Sequence, residues 1–146
     1  MSTTAQGILE DVLACLAGLK EFADVSSVAA HSQNALPRAC VVPLADNALP
    51  ADDGPGPWQR LRLEVSLTAG GATPKAAVNR VLDLFARSRD ALRADPFRGG
   101  LTRHLPCGQA TAFGPGMLKC STRPPLAELR FEVLCHYESA QPSGGQ

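Results

Sequence analysis

The residues best suited to chemistry in this 146-residue sequence are three histidines and five cysteines. Catalysis would place a histidine beside a nucleophile or a carboxylate. The only such grouping is His136 with Glu132 or Glu138, which the alternation of a strand places on one face. A surface pair between neighbouring strands explains the same pattern and is the preferred interpretation. Because no hydrolase, metalloprotease, calcium-loop or phosphate-loop motif is present, we expect no enzymatic activity.

The cysteine count favours reduced structural thiols over disulfides or metal ligands. Five cysteines are an odd number, and no secretory signal precedes them. No Cys-x-x-Cys pair occurs, and His104 with Cys107 is the nearest approach to a metal-ligand cluster. Gly70-Gly71 precedes a predicted helix, but Pro74 removes one of the N–H donors that a phosphate site would use. We therefore expect no metal and no cofactor.

The composition predicts one globular domain. Apolar residues make up 45% and charged residues 19% of the chain. We predict a single α+β domain over residues 1–139 and a flexible C-terminal tail over residues 140–146, which is rich in Gly, Ser and Pro. No apolar run is long enough to cross a membrane. The N-terminal segment has no basic region before its apolar stretch, so it reads as a helix start and not as a signal peptide.

The charges balance at 14 basic and 14 acidic residues, which excludes a uniformly basic nucleic-acid binder. This balance conceals an asymmetry: residues 1–59 carry two basic and seven acidic residues, and residues 60–146 carry twelve and seven. The two parts therefore have net charges of −5 and +5. Such parts can pair within one chain, or head to tail between copies.

The predicted elements follow from periodicity. Apolar residues at three- and four-residue steps predict a helix over residues 2–22, with Thr3 and Gln6 as a capping box. A second helix runs from an N-cap at Thr73 to about Ala94. Strands are predicted over residues 38–44 and 58–69, and a closing hairpin is predicted from residues 107–119 and 127–138. Residues 24–36 read as a loop or a short strand.

This order, α-β-β-α-β-β, predicts a four-stranded, mostly antiparallel sheet with two helices packed on one face. Residues 46–57 hold three prolines, two glycines and three acids, so they are expected to form an exposed irregular loop. Trp58 follows this loop and is expected either to anchor it to the core or to serve as an interface anchor. Alternation along residues 58–69 places Arg60, Arg62 and Glu64 on the face opposite the core.

The element order and the residue pattern of the strands resemble those of the tail terminator proteins of long-tailed phages, the group that includes the phage lambda tail terminator. Three segments carry the resemblance: an opening amphipathic helix followed by PRACVVPL, an acidic loop leading into WQRLRLEVSLTA, and a long helix followed by a hairpin ending in AELRFEVLCHYES. The likeness covers most of residues 5–139. It departs from the family in the high Gly and Pro content of the loops and in the weak strand at residues 107–119.

The resemblance implies a structural role for a phage or prophage protein. Such proteins form a hexameric ring that caps the tail tube, stops its polymerisation and presents the surface to which the head joins. The implied partners are further copies of the chain, the tail tube protein and the head–tail connector, with DNA passing through the lumen without specific binding. The implied location is the virion tail, assembled in the host cytoplasm.

The asymmetry in charge makes a set of charged and aromatic residues the candidate interface, because a ring needs two unlike patches on each subunit. We expect the acidic loop and the second helix to line contacts with neighbouring subunits or with the tube. The candidate residues are Asp46, Asp52, Asp53, Trp58, Arg60, Arg62, Glu64, Arg80, Arg87, Arg89, Arg130 and Glu132.

Two alternatives remain open at the level of sequence. The first is another head–tail joining or neck protein of similar size. The second is a small α+β enzyme or ligand-binding domain, since fold does not fix function. That second alternative requires a pocket with convergent polar groups, and His104, Cys107 and Cys120 are the candidates to line it.

Overall fold

The structure, a computed structural model, describes residues 3–27, 35–51, 54–106 and 108–139. The elements in chain order are helix α1, strands β1 to β3, helix α2, one 3-10 turn and strands β4 to β6. Their bounds are α1 Thr4–Gly18, β1 Asp24–Ser26, β2 Arg38–Ala51, β3 Gly54–Gly70, α2 Pro74–Ala94, the 3-10 turn Arg98–Gly100, β4 Thr111–Phe113, β5 Met117–Thr122 and β6 Pro125–Glu138.

Both helices begin at threonine caps. The Gln6 N–H donates to Thr3 Oγ1 over 3.1 Å and the Thr3 N–H donates to Gln6 Oε1 over 2.7 Å, which confirms the predicted capping box. In α2 the Ala76 N–H donates to Thr73 Oγ1 over 3.1 Å, and Pro74 occupies the first turn. The predicted helix from Thr73 to about Ala94 is confirmed. α1 is shorter than predicted, because its helical backbone ends at Gly18.

The predicted four-stranded sheet is wrong. The sheet has six strands in the order β1-β2-β3-β6-β4, with β5 also paired to β6, and it is mixed because β1 runs parallel to β2. The element order is α-β-β-β-α-β-β-β. The additional strands are short or interrupted, and such strands give little periodic signal in a sequence.

The weak strand predicted at residues 107–119 is two strands, β4 and β5, on the same side of β6. Four residue steps separate Phe113 from Met117, but only three separate their partners Val133 and Arg130. The extra residue is a bulge, and the Gly114-Pro115-Gly116 segment lies at this point. The predicted pairing with the last strand is therefore present, but its single strand is divided.

The irregular loop predicted over residues 46–57 is also wrong for the residues that the structure describes. β2 continues to Ala51 and β3 begins at Gly54, with Pro50 opposite Pro55. β6 reaches β3 only as far as Trp58, so residues 48–51 and 54–57 form a two-stranded extension, which we call the arm. Four residues per strand give it a length of about 13 Å.

The core lies between one face of the sheet and the two helices. Alternate residues of β3 and β6 point into it, and the edge-to-face contact between Phe85 on α2 and Phe131 on β6 has ring centres 4.9 Å apart. The predicted inward residues of β3 are all buried. The largest apolar core side chains are Ile8, Val12 and Leu16 of α1, Val81 and Leu92 of α2, and Val41, Leu63, Val65, Leu67, Phe131 and Val133 of the sheet.

Candidate functional site

The second face of the sheet is the candidate functional surface. Neither helix covers it in the ranges that the structure describes, and the five charged side chains of its ion pairs are between 29% and 47% exposed. We call this surface the open face. Its side chains are Arg38, Cys40 and Val42 on β2, Arg60, Arg62, Glu64, Ser66 and Thr68 on β3, and Glu128, Arg130, Glu132, Leu134 and His136 on β6.

Cross-strand ion pairs order the open face. Glu64 lies directly opposite Glu132 in the β3–β6 register, which would be unfavourable for two like charges. Each glutamate instead meets an arginine on the neighbouring strand, two residues from the opposite glutamate. Arg62 donates from Nε and Nη2 to both carboxylate oxygens of Glu132, over 2.9 and 3.1 Å. This bidentate bond lowers the pKa of Glu132 and raises that of Arg62.

Arg130 is the centre of the second group. Its Nε donates to Glu128 Oε1 over 2.9 Å, and its Nη1 lies 3.9 Å from Glu64 Oε1. The hydrogen bond to Glu128 is the main cause of the raised pKa of Arg130. The predicted outward residues therefore do lie together on one face. However, their charges are partly compensated by partners on the same face, and these partners could not be predicted from alternation alone.

His136 closes one end of the open face. It forms a cross-strand pair, as preferred from the sequence, with Arg60, but it is buried and does not lie at the surface. Its Nδ1 donates to the Gln109 carbonyl over 2.8 Å, and its Nε2 accepts from Arg60 Nε over 3.0 Å. Burial is the main cause of the lowered pKa of His136, and the Arg60 charge lowers it further. A neutral imidazole that is bonded at both nitrogens holds two chain segments together.

Two shallow grooves flank Arg130. One has a volume of about 340 Å³ and lies beside the bulge between β4 and β5, where Gly114, Pro115, Met117 and Leu134 line it. The other, of about 200 Å³, lies toward β2. Because these grooves open along a flat, charged sheet face, they suit the side chains of a partner surface better than they suit an enclosed small molecule.

The arginines of α2 lie apart from the open face. Arg80 is exposed, whereas Arg87 donates from Nη1 to Glu21 over 3.0 Å. Arg89 places its guanidinium 4.9 Å from the ring centre of Phe85. The structure therefore separates the predicted interface residues of α2 from those on the open face.

The base of the arm contains two further predicted interface residues. Asp46 accepts a hydrogen bond of 2.6 Å from the Tyr137 hydroxyl, and burial together with this bond raises the pKa of Tyr137. Trp58 is half-buried at the last position where β3 meets β6. Asp52 and Asp53 lie outside the described residues.

The predicted polar pocket receives no support from the described residues. His104 lines a groove of about 240 Å³ with Arg93 and Thr111, and Cys120 is not among its described lining residues. Cys107 lies outside the described part of the chain. Burial raises the pKa of the Cys135 thiol to about 12. Among the described residues, no group of three or more His, Cys, Asp or Glu side chains could hold a metal ion.

Three basic residues were not singled out from the sequence: Arg98, Lys119 and Arg123. Arg98 is buried and joins α1 to the end of α2. Lys119 lies exposed on β5, and Arg123 lies in the turn that follows. No acidic residue lies between Asp95 and Glu128 in the sequence, and this absence would have drawn attention to both basic positions.

Comparisons with known proteins find a structural likeness but no match by sequence. No protein-family model matches the sequence, and no curated protein matches it. Among solved structures, a chain of the virion of a native gene transfer agent particle aligns with 12% identity and a TM-score of 0.43. The alignment covers 94% of this chain and 96% of that chain. A TM-score this low does not establish a shared fold or role.

No helix in the described ranges is long and apolar enough to cross a membrane.

Proposed function

We propose that this chain is a structural tail terminator of a phage or prophage. In this proposal, copies of the chain form a ring, a hexamer, that caps the tail tube, stops its polymerisation and provides the surface to which the head joins. The observation that supports it most is the sheet with one face buried beneath two helices and one open face of ordered charged pairs. This division suits a subunit that must meet other proteins over a broad area.

The open face has properties that favour specific contact over catalysis. Charges that are held in fixed positions by partners in their own chain direct orientation and register more than they add affinity. Arg62 and Arg130 are held in this way by Glu132 and Glu128. The grooves beside Arg130 provide space into which side chains of a partner can fit.

The proposed partners are further copies of the chain, the tail tube protein and the head–tail connector. DNA would pass through the lumen without being held, because the chain has no net charge with which to bind phosphates tightly. The proposal involves no cofactor and no reaction. The site of action would be the tail of the virion, after assembly in the host cytoplasm.

Electron microscopy of particles that lack this protein tests the proposed role. We expect tails much longer than normal, since nothing would stop polymerisation of the tube. Adding back the chain should restore normal tail length, and adding back the charge-reversal variant Arg62→Glu/Arg130→Glu should not. Normal tails that do not attach to heads would instead indicate a head–tail joining protein. Normal, attached tails would contradict any role at this junction and would leave the ligand-binding or enzymatic alternative.

A further inference from the structure

β5 is an exposed edge of the sheet. Within the described ranges it pairs only with β6, so alternate residues of β5 point their N–H and C=O groups away from the sheet. All six residues of Met117–Thr122 are exposed, and none is a proline, which would lack the N–H donor. A strand edge with unpaired backbone groups is a template on which another extended segment can pair. We call β5 together with Arg123 the β5 edge.

The register gives the β5 edge two different sides. Met117 lies opposite Arg130 of β6, so it extends the open face, and Lys119, two residues further on, shares that side. Leu118 lies opposite the buried Leu129, so it extends the face that the helices cover. Met117 and Leu118 are 68% and 45% exposed, which is unfavourable for neighbouring large apolar side chains on an edge strand. An added strand would cover apolar surface on both sides of β5.

The charge of the β5 edge is basic. Lys119 and Arg123 are both exposed. Glu128 lies opposite Lys119 in the register, but its carboxylate accepts a hydrogen bond of 2.9 Å from Arg130 Nε. Neither Lys119 nor Arg123 forms an ion pair in the part of the chain that the structure describes. This edge therefore offers two positive charges to a partner.

The positive charge limits what can pair with the β5 edge. If the β5 edges of two copies met, the basic residues of both would come together, which is unfavourable. The opposite edge of a second copy consists of β1 and β2, whose described acidic residues already have neighbours. Asp24 lies opposite Arg38 in the β1–β2 register, and Asp46 accepts a hydrogen bond from the Tyr137 hydroxyl. These observations favour an acidic segment of another protein over a second copy of this chain.

We propose that the β5 edge binds an extended acidic segment of another protein as an additional strand of the sheet. Backbone hydrogen bonds to β5 hold the segment, an acidic side chain on the side of the open face meets Lys119, and apolar side chains on the other side cover Leu118. The groove of about 340 Å³ beside Met117 gives space for a larger side chain of the segment. This contact needs only one copy of the chain, so it is independent of the ring proposed above.

Synthetic peptides test this contact on the purified full chain. The probe is a capped peptide in which valine alternates with glutamate. One control peptide has lysine in place of glutamate, and a second carries a methyl group on every backbone nitrogen, so that it cannot donate hydrogen bonds to a strand. NMR spectra of the isotope-labelled chain would follow the backbone amides of Met117–Thr122 while each peptide is added, and the shifts give the affinities.

Charge reversal at the β5 edge provides the matching variant. Lys119→Glu/Arg123→Glu makes the edge acidic, and Lys20→Glu/Arg80→Glu is the matched control. Both control residues are exposed. Lys20 follows α1, and Arg80 lies two helical turns before Arg87, whose guanidinium bonds to the residue after Lys20. Because α1 packs beside β1 and β2, these two positions lie on the side of the molecule away from β5.

We expect the unaltered chain and the control variant to bind the valine–glutamate peptide about tenfold more tightly than the valine–lysine peptide. The edge variant should show the reverse preference, which also proves that it is folded. The methylated peptide should not bind. The proposal is wrong if no peptide shifts the β5 amides, if the methylated peptide binds equally well, or if the edge variant keeps the preference for glutamate. Shifts of these amides that grow with the concentration of the chain alone would show that a second copy covers the edge, and would also overturn the proposal.

Discussion

Arg98 shows how a single residue outside every predicted element holds the elements together. Its side chain is 2% exposed, and it donates to the Asp11 carboxylate over 3.0 Å and to the Leu92 carbonyl over 2.6 Å. It also donates to the carbonyl of Asp95. The guanidinium thus ties α1 to the last carbonyls of α2, which a helix leaves without partners of its own.

Replacing this guanidinium should be costly. We predict that Arg98→Met lowers the free energy of unfolding by about 3 kcal/mol, because buried acceptors lose their charged donor. The measurement is equilibrium denaturation in urea. Arg103→Met is the matched control: Arg103 keeps 68% side-chain exposure and lies 3.4 Å from Glu138. The control should cost less than about 1 kcal/mol. Equal losses in the two variants would contradict the proposed role of Arg98.

The burial of His136 predicts a dependence of stability on pH. Its folded-state pKa is lowered below the ordinary value of 6.5, so the unfolded chain binds a proton first as the pH falls. The contribution of His136 is therefore complete above about pH 6.5 and decreases as the pH falls toward the folded-state pKa. The slope is at most about 1.4 kcal/mol per pH unit for one proton.

Urea denaturation between pH 7 and pH 5 measures this slope. The variant His136→Gln should have a shallower slope than the unaltered chain, whereas His104→Gln should keep it. The pKa of Glu132 is lowered from its ordinary value of 4.5, so protonation of Glu132 affects the stability only below pH 5. A slope that persists in His136→Gln would show that another group is responsible.

At the residue scale, the alternation of apolar and polar residues was enough to predict which side chains point away from the core, but it could not predict their partners. Arg60, Arg62 and Glu64 lie on the predicted face of β3. The pairing of Arg62 with Glu132, and the burial of His136, depend on the register between β3 and β6 and on the segment near Gln109. A sequence specifies the pairing register of strands only indirectly, through turns and bulges.

The connection between β3 and α2 shows an element boundary that depends on one glycine. A Cβ added at Gly71 would lie 2.6 Å from the Ala77 nitrogen and 3.0 Å from the Ala76 carbonyl carbon. Both are backbone atoms in the first turn of α2 and cannot move without disturbing the helix. A Cβ at Gly70 would meet its nearest neighbours, in Leu126 and Leu36, at an ordinary 3.5 Å. The two adjacent glycines are therefore not equivalent.

We predict that Gly71→Ala destabilises the chain by about 2 kcal/mol, which is typical of a side chain forced into occupied space. Gly70→Ala should change the stability by less than about 1 kcal/mol. Thermal unfolding followed by circular dichroism would compare the two variants. A larger loss from Gly70→Ala than from Gly71→Ala would show that the helix does not approach Gly71 this closely.

At the element scale, strongly periodic segments were predicted well and interrupted ones were not. α2 and β6 have long regular patterns, and both were found near their predicted bounds. Prolines and glycines in residues 46–57 predicted a loop, but β2 and β3 remain paired there up to Ala51 and Gly54. Prolines are compatible with a ribbon that has open edges, since the missing N–H need not have served the ladder.

At the scale of the whole molecule, the two oppositely charged parts of the chain are joined by ion pairs. Dividing the chain at residue 59 gave net charges of −5 and +5. In the fold, some of this charge is paired between the two parts of the chain, as between Arg98 and Asp11 and between Arg87 and Glu21. The pairing within one chain that the sequence allowed is therefore present. Only the fold shows which charges of the two parts meet.

The central claim, that this chain assembles into a ring, is tested most directly by the native mass of the purified protein. We predict an oligomer of one defined size, a hexamer, at low salt or on addition of tail tube protein, with dissociation toward smaller species as the salt concentration rises. A strict monomer at every salt concentration, with and without tube protein, would contradict the claim.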